Sequence, residues 1–304
     1  MKNRIISVCV LIISFLVTAP VLADTDVGTD VDEKSDSEIK EEKNKEHLIF
    51  TFDHEIVVTA PKTKEPLKVE TDPRHPRQPI PAADGAGYLK NIPGFSMVRK
   101  GGTGGDPVFR GLGGGGGTRL NILINGGYLL GGCPSRMDPT TAYAFPESFN
   151  KITILKGPES VAYGGGNIAG TILFERETSA FTKLGTRMNT SILFGSHNRR
   201  DQLYDITEGD KAGYVRIIKT KSKSGDYTDG DGHTIHSAYN RDSLTGIIGI
   251  TPNKNTLYEF SFDASTGKAS YADRTMDGTQ FDKDSYNFKF EKKNISHDSI
   301  KFYV

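Results

Sequence analysis

From about residue 185 onward the chain alternates with period two, and this restricts its fold more than any other feature. Met188, Thr190, Ile192 and Phe194 alternate with Arg187, Asn189 and Ser191. Tyr258, Phe260 and Phe262 alternate with Glu259, Ser261 and Asp263, and Tyr286, Phe288 and Phe290 with Asn287, Lys289 and Glu291. Successive strand residues point to opposite faces, so each run has one apolar, aromatic face and one charged face. A membrane strand with lipid outside and water inside needs this, and a soluble sandwich can show it too. The connections separate the two. Turns near 209–212, 251–255 and 293–298 are short, whereas 223–240 and 266–284 are long and polar. Short turns on one rim and long loops on the other belong to outer-membrane barrels. The stretches 213–219 and 241–250 alternate less cleanly and leave their registers open.

The start of the chain reads as an export signal over residues 1–23. Lys2 and Arg4 supply the positive start, Ile5 to Val17 the apolar run, and Val21-Leu22-Ala23 a small-residue cleavage site. The apolar run is too short for a membrane-spanning helix, which needs about 20 apolar residues. Residues 24–53 form a charged tether, rich in Asp, Glu, Lys, Ser and Thr, with too little apolar surface to offset its ordering entropy. The formal net charge is zero and no basic patch suggests a polyanion partner.

Glu55, Ile56, Val57, Val58, Thr59 and Ala60 make a short β-prone run within residues 54–60. Placed between a charged tether and a proline-rich stretch, it suits pairing with a partner's sheet edge, or serves as the first strand of the next domain. Six prolines keep 61–81 extended, with His75 solvated. A short helix fits Gly85 to Lys90, stopped by Pro93-Gly94. Gly111, Gly113 and Gly116 match G-x-G-x-x-G, but a strand follows, Thr118 to Gly126, where a dinucleotide loop must open a helix. Lys151 to Leu155 and Gly170 to Phe174 read as further strands, and Lys156-Gly157 lacks the upstream glycine of a phosphate loop.

Between the Asn125-Gly126 turn and the next strand lies Gly132-Cys133-Pro134-Ser135-Arg136-Met137-Asp138-Pro139. Export would remove Cys9 and leave Cys133 as the single cysteine, unable to form an internal disulfide. A free thiol, an intermolecular bridge and a metal ligand remain open. Cys133 and Met137, four positions apart, form a pair of soft sulfur donors of the kind that favours Cu(I) over harder cations. The alternative is a structural cysteine beside a packed methionine.

Taken in order, these motifs resemble the TonB-dependent outer-membrane receptors. The resemblance rests on Glu55–Ala60 as the energy-coupling TonB box, then Phe109-Arg110-Gly111, Ile124-Asn125-Gly126, Leu155-Lys156-Gly157-Pro158 and Ala162-Tyr163-Gly164. It implies an α+β plug domain over 61–182, followed over 183–304 by part of an antiparallel transmembrane β-barrel. About six to seven strands are expected here, of some 22 in a plugged barrel of this class, so the chain reads as the N-terminal portion of a receptor. The family's first turn usually carries Asp-Gly, where Asn125-Gly126 stands here. The Cys133 loop resembles the copper-receptor branch. That implies copper as the transported ligand at Cys133 and Met137, TonB as periplasmic partner, and placement in the outer membrane. The branch also uses a His-x-Met pair on the barrel, which this sequence lacks. A receptor for an iron chelate or haem, and a truncated surface-binding protein, are the alternatives. No catalytic constellation occurs, so the chain reads as no enzyme. His233, His236 and Met276 are further candidate ligands, with solvation the simpler reading of the histidines.

Overall fold

A computed structural model describes residues 67–75, 79–99, 101–112, 119–129, 139–158, 161–272, 277–295 and 298–303. The expected coupling segment 54–60, the tether and the export signal lie outside these residues.

A five-stranded sheet organises the first part. It contains β1 (Lys68–Thr71), β4 (Leu120–Ile124), β5 (Gly127–Tyr128), β6 (Lys151–Lys156) and β7 (Gly170–Glu175), in the order β1-β6-β7-β4-β5. β4 and β7 run parallel and the remaining pairs antiparallel. A separate hairpin joins β2 (Phe95–Val98) to β3 (Asp106–Phe109). The expected helix is α1, Gly85–Leu89. Its N-cap Asp84 is fully buried, yet its carboxylate accepts from Gly87 N, Arg99 Nη1 and Gly104 N at 2.7–2.9 Å. A buried carboxylate met by three donors is stable where an unpaired one would not be. Leu89, Phe149, Ile152, Ile154, Ile172 and Phe174 form the core between α1 and the sheet.

Asn125 and Gly126 both have positive φ, 49° and 84°, as a two-residue hairpin turn of this type demands. Within the proline-rich stretch, Lys68–Thr71 is extended as β1, paired antiparallel with β6, and a turn follows at Pro73-Arg74.

The second part is a seven-stranded antiparallel sheet. It consists of β8 (Gly185–Gly195), β9 (Arg199–Gly209), β10 (Gly213–Ser224), β13 (Tyr239–Asn253), β14 (Thr256–Ala269), β15 (Lys283–Ile295) and β16 (Asp298–Tyr303), in sequence order. A small ribbon, β11 (Tyr227–Thr228) with β12 (Thr234–Ile235), stands in the loop after β10. Six of the seven strands have 11 to 15 residues, enough to cross a bilayer when tilted. Among the described residues, the connections at 210–212 and 254–255 share one rim with the end of β15; 196–198 and 225–238 share the other with the end of β14. No helix among the described residues is long and apolar enough to cross a membrane.

Burial decides between membrane wall and soluble sandwich. Met188, Phe194 and Tyr286 are 71%, 72% and 68% exposed, and Ile248, Ile250, Tyr258 and Phe260 lie on the same outer face. The opposite face buries Asp201, Asp205, Arg216, Ser222, Thr245 and Asp263. A sandwich would place these faces the other way round. Apolar outside and polar inside is the arrangement of a transmembrane wall.

Candidate functional site

Cys133 and Met137 lie outside the described residues, as do Glu55, Ile56, Val57, Val58, Thr59, Ala60 and Met276. The two ends of the Cys133 loop are described. Thr140 Oγ1 donates to Leu129 O at 2.6 Å, tying the residue after Pro139 to the end of the β5 hairpin. Thr141, fully buried, donates through Oγ1 to Gly105 O, also at 2.6 Å. Tyr128 OH donates to Tyr163 O. The first bond closes the base of the loop, and the other two fasten it to Gly105 and Tyr163.

From the loop base the chain runs through two 3-10 turns, Thr140–Tyr143 and Pro146–Ser148, to the wall. Phe145 enters an apolar cluster with Phe181, Leu203, Tyr214, Ile218 and Ile247. Elsewhere the seam is polar and ionic. Arg176 Nη1 donates to Asp263 Oδ1 at 3.2 Å, while Arg176 Nε bonds Ser148 O and its guanidinium lies 4.2 Å from the Phe149 ring centroid. Arg74 Nη1 reaches Asp205 Oδ2 at 3.2 Å, and Arg216 holds both oxygens of Asp205 at 2.8 and 2.6 Å. Ser191 donates to Glu147, Arg241 to Thr103, Arg199 to Pro81 O and Asn287 to Asn125 O. Burial pulls the Arg74 and Arg176 pKa values down, opposed by Asp205 and Asp263 respectively; arginine nevertheless stays charged. A cavity of about 50 Å³ opens in the seam between Tyr143, Arg176, Arg241, Ser243 and Ser265. Its lining is rich in hydroxyls, which suits a hydrated gap.

Sequence reasoning missed this seam. Its signal was present, because Asp201, Asp205, Arg216 and Asp263 all occupy inward positions of the alternation.

On the rim of long loops, His236 Nε2 lies 2.8 Å from Asp277 Oδ2, bridging the loops 225–238 and 270–282. That bond raises the His236 pKa and lowers the Asp277 pKa. Asp226 is also held low, chiefly by the backbone N–H groups of Ser237 and Ala238. His233 goes elsewhere: it lies 3.6 Å from Asp229, and ligand atoms of Asp229, Asp231 and His233 fall within 4.8 Å of one another on an exposed hairpin. The two histidines therefore have separate acidic neighbours.

Residues 71–171 match the TonB-dependent Receptor Plug Domain family. Among solved structures, the copper transporter OprC is 46% identical, with a TM-score of 0.75, over 79% of this chain and 37% of its own. The siderophore receptor PirA from Acinetobacter baumannii matches at 15% identity and TM-score 0.58, over 79% of this chain and 39% of its own. The FrpB iron transporter from Neisseria meningitidis matches at 16% and 0.57, over 73% and 38%. The last two share the fold alone, and this chain spans well under half the length of all three. No curated protein sequence matches it. A plug domain, a polar-lined antiparallel wall with a lipid-facing apolar surface, and the likeness to OprC converge on one conclusion: the chain belongs to the TonB-dependent receptors, outer-membrane proteins that are not enzymes.

Proposed function

We propose that this protein is an outer-membrane copper receptor, exported by residues 1–23, with Cys133 and Met137 as soft ligands on its plug. The observation that carries the reading is its 46% identity to a copper transporter over 79% of the chain. The chemistry agrees: a thiolate and a thioether select Cu(I) over Mg²⁺ or Ca²⁺. The fastened loop base supports it too, since a loop closed between Leu129 and Thr140 loses less freedom when a metal orders it.

Import needs work that the outer membrane cannot draw from ATP. Glu55–Ala60 supplies the coupling by adding a strand to TonB in the periplasm. Copper bound at the loop favours one arrangement of plug and tether over another, to the extent that its affinity for the two differs.

Metal analysis of the receptor, its Cys133→Ser form and its Met137→Leu form tests the site, with melting temperatures measured alongside. Cys133→Ser removes most of the bound copper at an almost unchanged melting temperature, and Met137→Leu removes less. Parent copper content in both variants would overturn copper as the ligand of this loop.

A further inference from the structure

The lipid-facing side of the wall is not apolar to its upper edge. On β10 the outward positions are Val215 and Ile217, followed toward the long-loop rim by Lys219, Lys221 and Lys223. Register extends these into rows across neighbouring strands. Lys223 stands opposite Arg200 on β9 and Asn240 on β13, and Asn240 stands opposite Lys268 on β14. Lys221 stands opposite Gln202 and Asp242.

Like charges directly across a ladder are destabilising, and Arg200 with Lys223 is such a pair. The carboxylate available in these rows, Asp242, is taken by Lys219. Of the other carboxylates on this side, Asp284 lies three strands from Lys219 along its row, and Asp282, just before β15, is engaged by Thr266 and Gln280. None of the ion pairs among the described residues involves Arg200, Lys221, Lys223 or Lys268. Arg200 rests 6.0 Å from the Phe194 ring centroid, and Phe194 faces lipid.

From this arrangement we infer that the upper rows of β9, β10 and β14 bind the phosphate groups of an anionic lipid in the outer leaflet. Two observations favour a lipid over a soluble anion. The rows continue the apolar surface directly, with Val215 and Ile217 below them on the same strand face. Lysine and arginine stems lie along such a surface while their heads reach the headgroup level. Charge complementarity supplies the rest, because guanidinium and ammonium groups donate strongly to phosphate oxygens. The inference rests on the outer-membrane placement and is independent of copper.

The test uses the receptor in detergent micelles doped with lipid A, with fully dephosphorylated lipid A, or with inorganic phosphate alone. Bound lipid is read by native mass spectrometry. The parent retains lipid A and releases the dephosphorylated form. Lys221→Gln/Lys223→Gln weakens lipid A binding about tenfold or more, and Arg200→Gln weakens it less. Lys211→Gln, on the opposite rim, leaves it unchanged. Heat-modifiable gel mobility checks that each wall is assembled, and copper content separates this outcome from the loop's. Equal retention of the dephosphorylated lipid, parent-like binding by the double variant, or displacement by inorganic phosphate at the lipid's own concentration would each overturn the inference.

Discussion

Arg176 of the plug and Asp263 of the wall form an ion pair, 3.2 Å from Nη1 to Oδ1, with both side chains largely removed from solvent. Thr245 donates to the same carboxylate oxygen at 2.6 Å. A buried pair with added hydrogen bonds contributes little net stability, but breaking it leaves an uncompensated charge at a cost of about 3–5 kcal/mol. Asp263→Ala should therefore lower the receptor's melting temperature and speed proteolysis of the plug. Arg176→Met/Asp263→Leu should recover most of the loss. A double variant no better than the single one would show that the pair is not coupled.

The His236–Asp277 bond predicts a pH window for the long loops. The His236 pKa is raised, so its contribution is complete below the ordinary histidine value, roughly 6.5, and fades as pH rises through the raised value. The Asp277 pKa is lowered, so the acid limit comes as pH falls through that depressed value. Protease cleavage within 225–238 and 270–282 should rise on the alkaline side, and His236→Gln should abolish that dependence. A profile indifferent to His236→Gln would assign the change to other groups.

The orientation of the wall is tested at adjacent positions. Phe260 faces outward beside Tyr286, whereas Glu259 faces inward and accepts from Tyr214 OH. Phe260→Arg places a charge against lipid at a cost of about 2–4 kcal/mol near the midplane, and should reduce the heat-modifiable, membrane-assembled fraction. Glu259→Gln keeps an acceptor for Tyr214 and should assemble normally. Equal assembly of the two variants would invalidate the assignment of faces.

For the proposed coupling segment, Val57→Pro removes a backbone donor and hinders strand addition. Copper uptake by cells should fall to the level of cells lacking TonB, while copper bound by the purified receptor stays at the parent value. Uptake at the parent rate would remove Glu55–Ala60 from the coupling role.

Much of the wall was legible because lipid and lumen demand opposite chemistry on alternate residues. Met188 to Phe194, Tyr258 to Phe262 and Tyr286 to Phe290 gave their faces directly. β10 and β13 were blurred for a physical reason. Their inner faces carry Ile218 and Ile247, which pack on Phe145, and on β10 lysines occupy the outer face. Ile217-Ile218 and Ile247-Ile248 then read as apolar on both sides. β1 was hidden by the prolines that flank it, Pro66 and Pro73, and by a partner, β6, about 80 residues away in the chain. The soft-ligand pair was visible as residue types, but the ionic seam depends on contacts such as Arg74 with Asp205 that no local pattern encodes.

In the proposed import, Phe145 would give the plug's movement a detent. Along the polar seam, water can take over the neutral hydrogen bonds as the plug shifts, so those contacts yield gradually. Water offers no such substitute in the apolar seat formed by Leu203, Tyr214, Ile218 and Ile247. Lifting a phenylalanine out of it costs on the order of 2–3 kcal/mol at once. Because Phe145 follows directly on the turn that fastens the Cys133 loop through Thr140, the click is geared to that loop. Small fluctuations would leave the plug in its seat, and under the proposed coupling a pull strong enough to free Phe145 would carry the loop base with it.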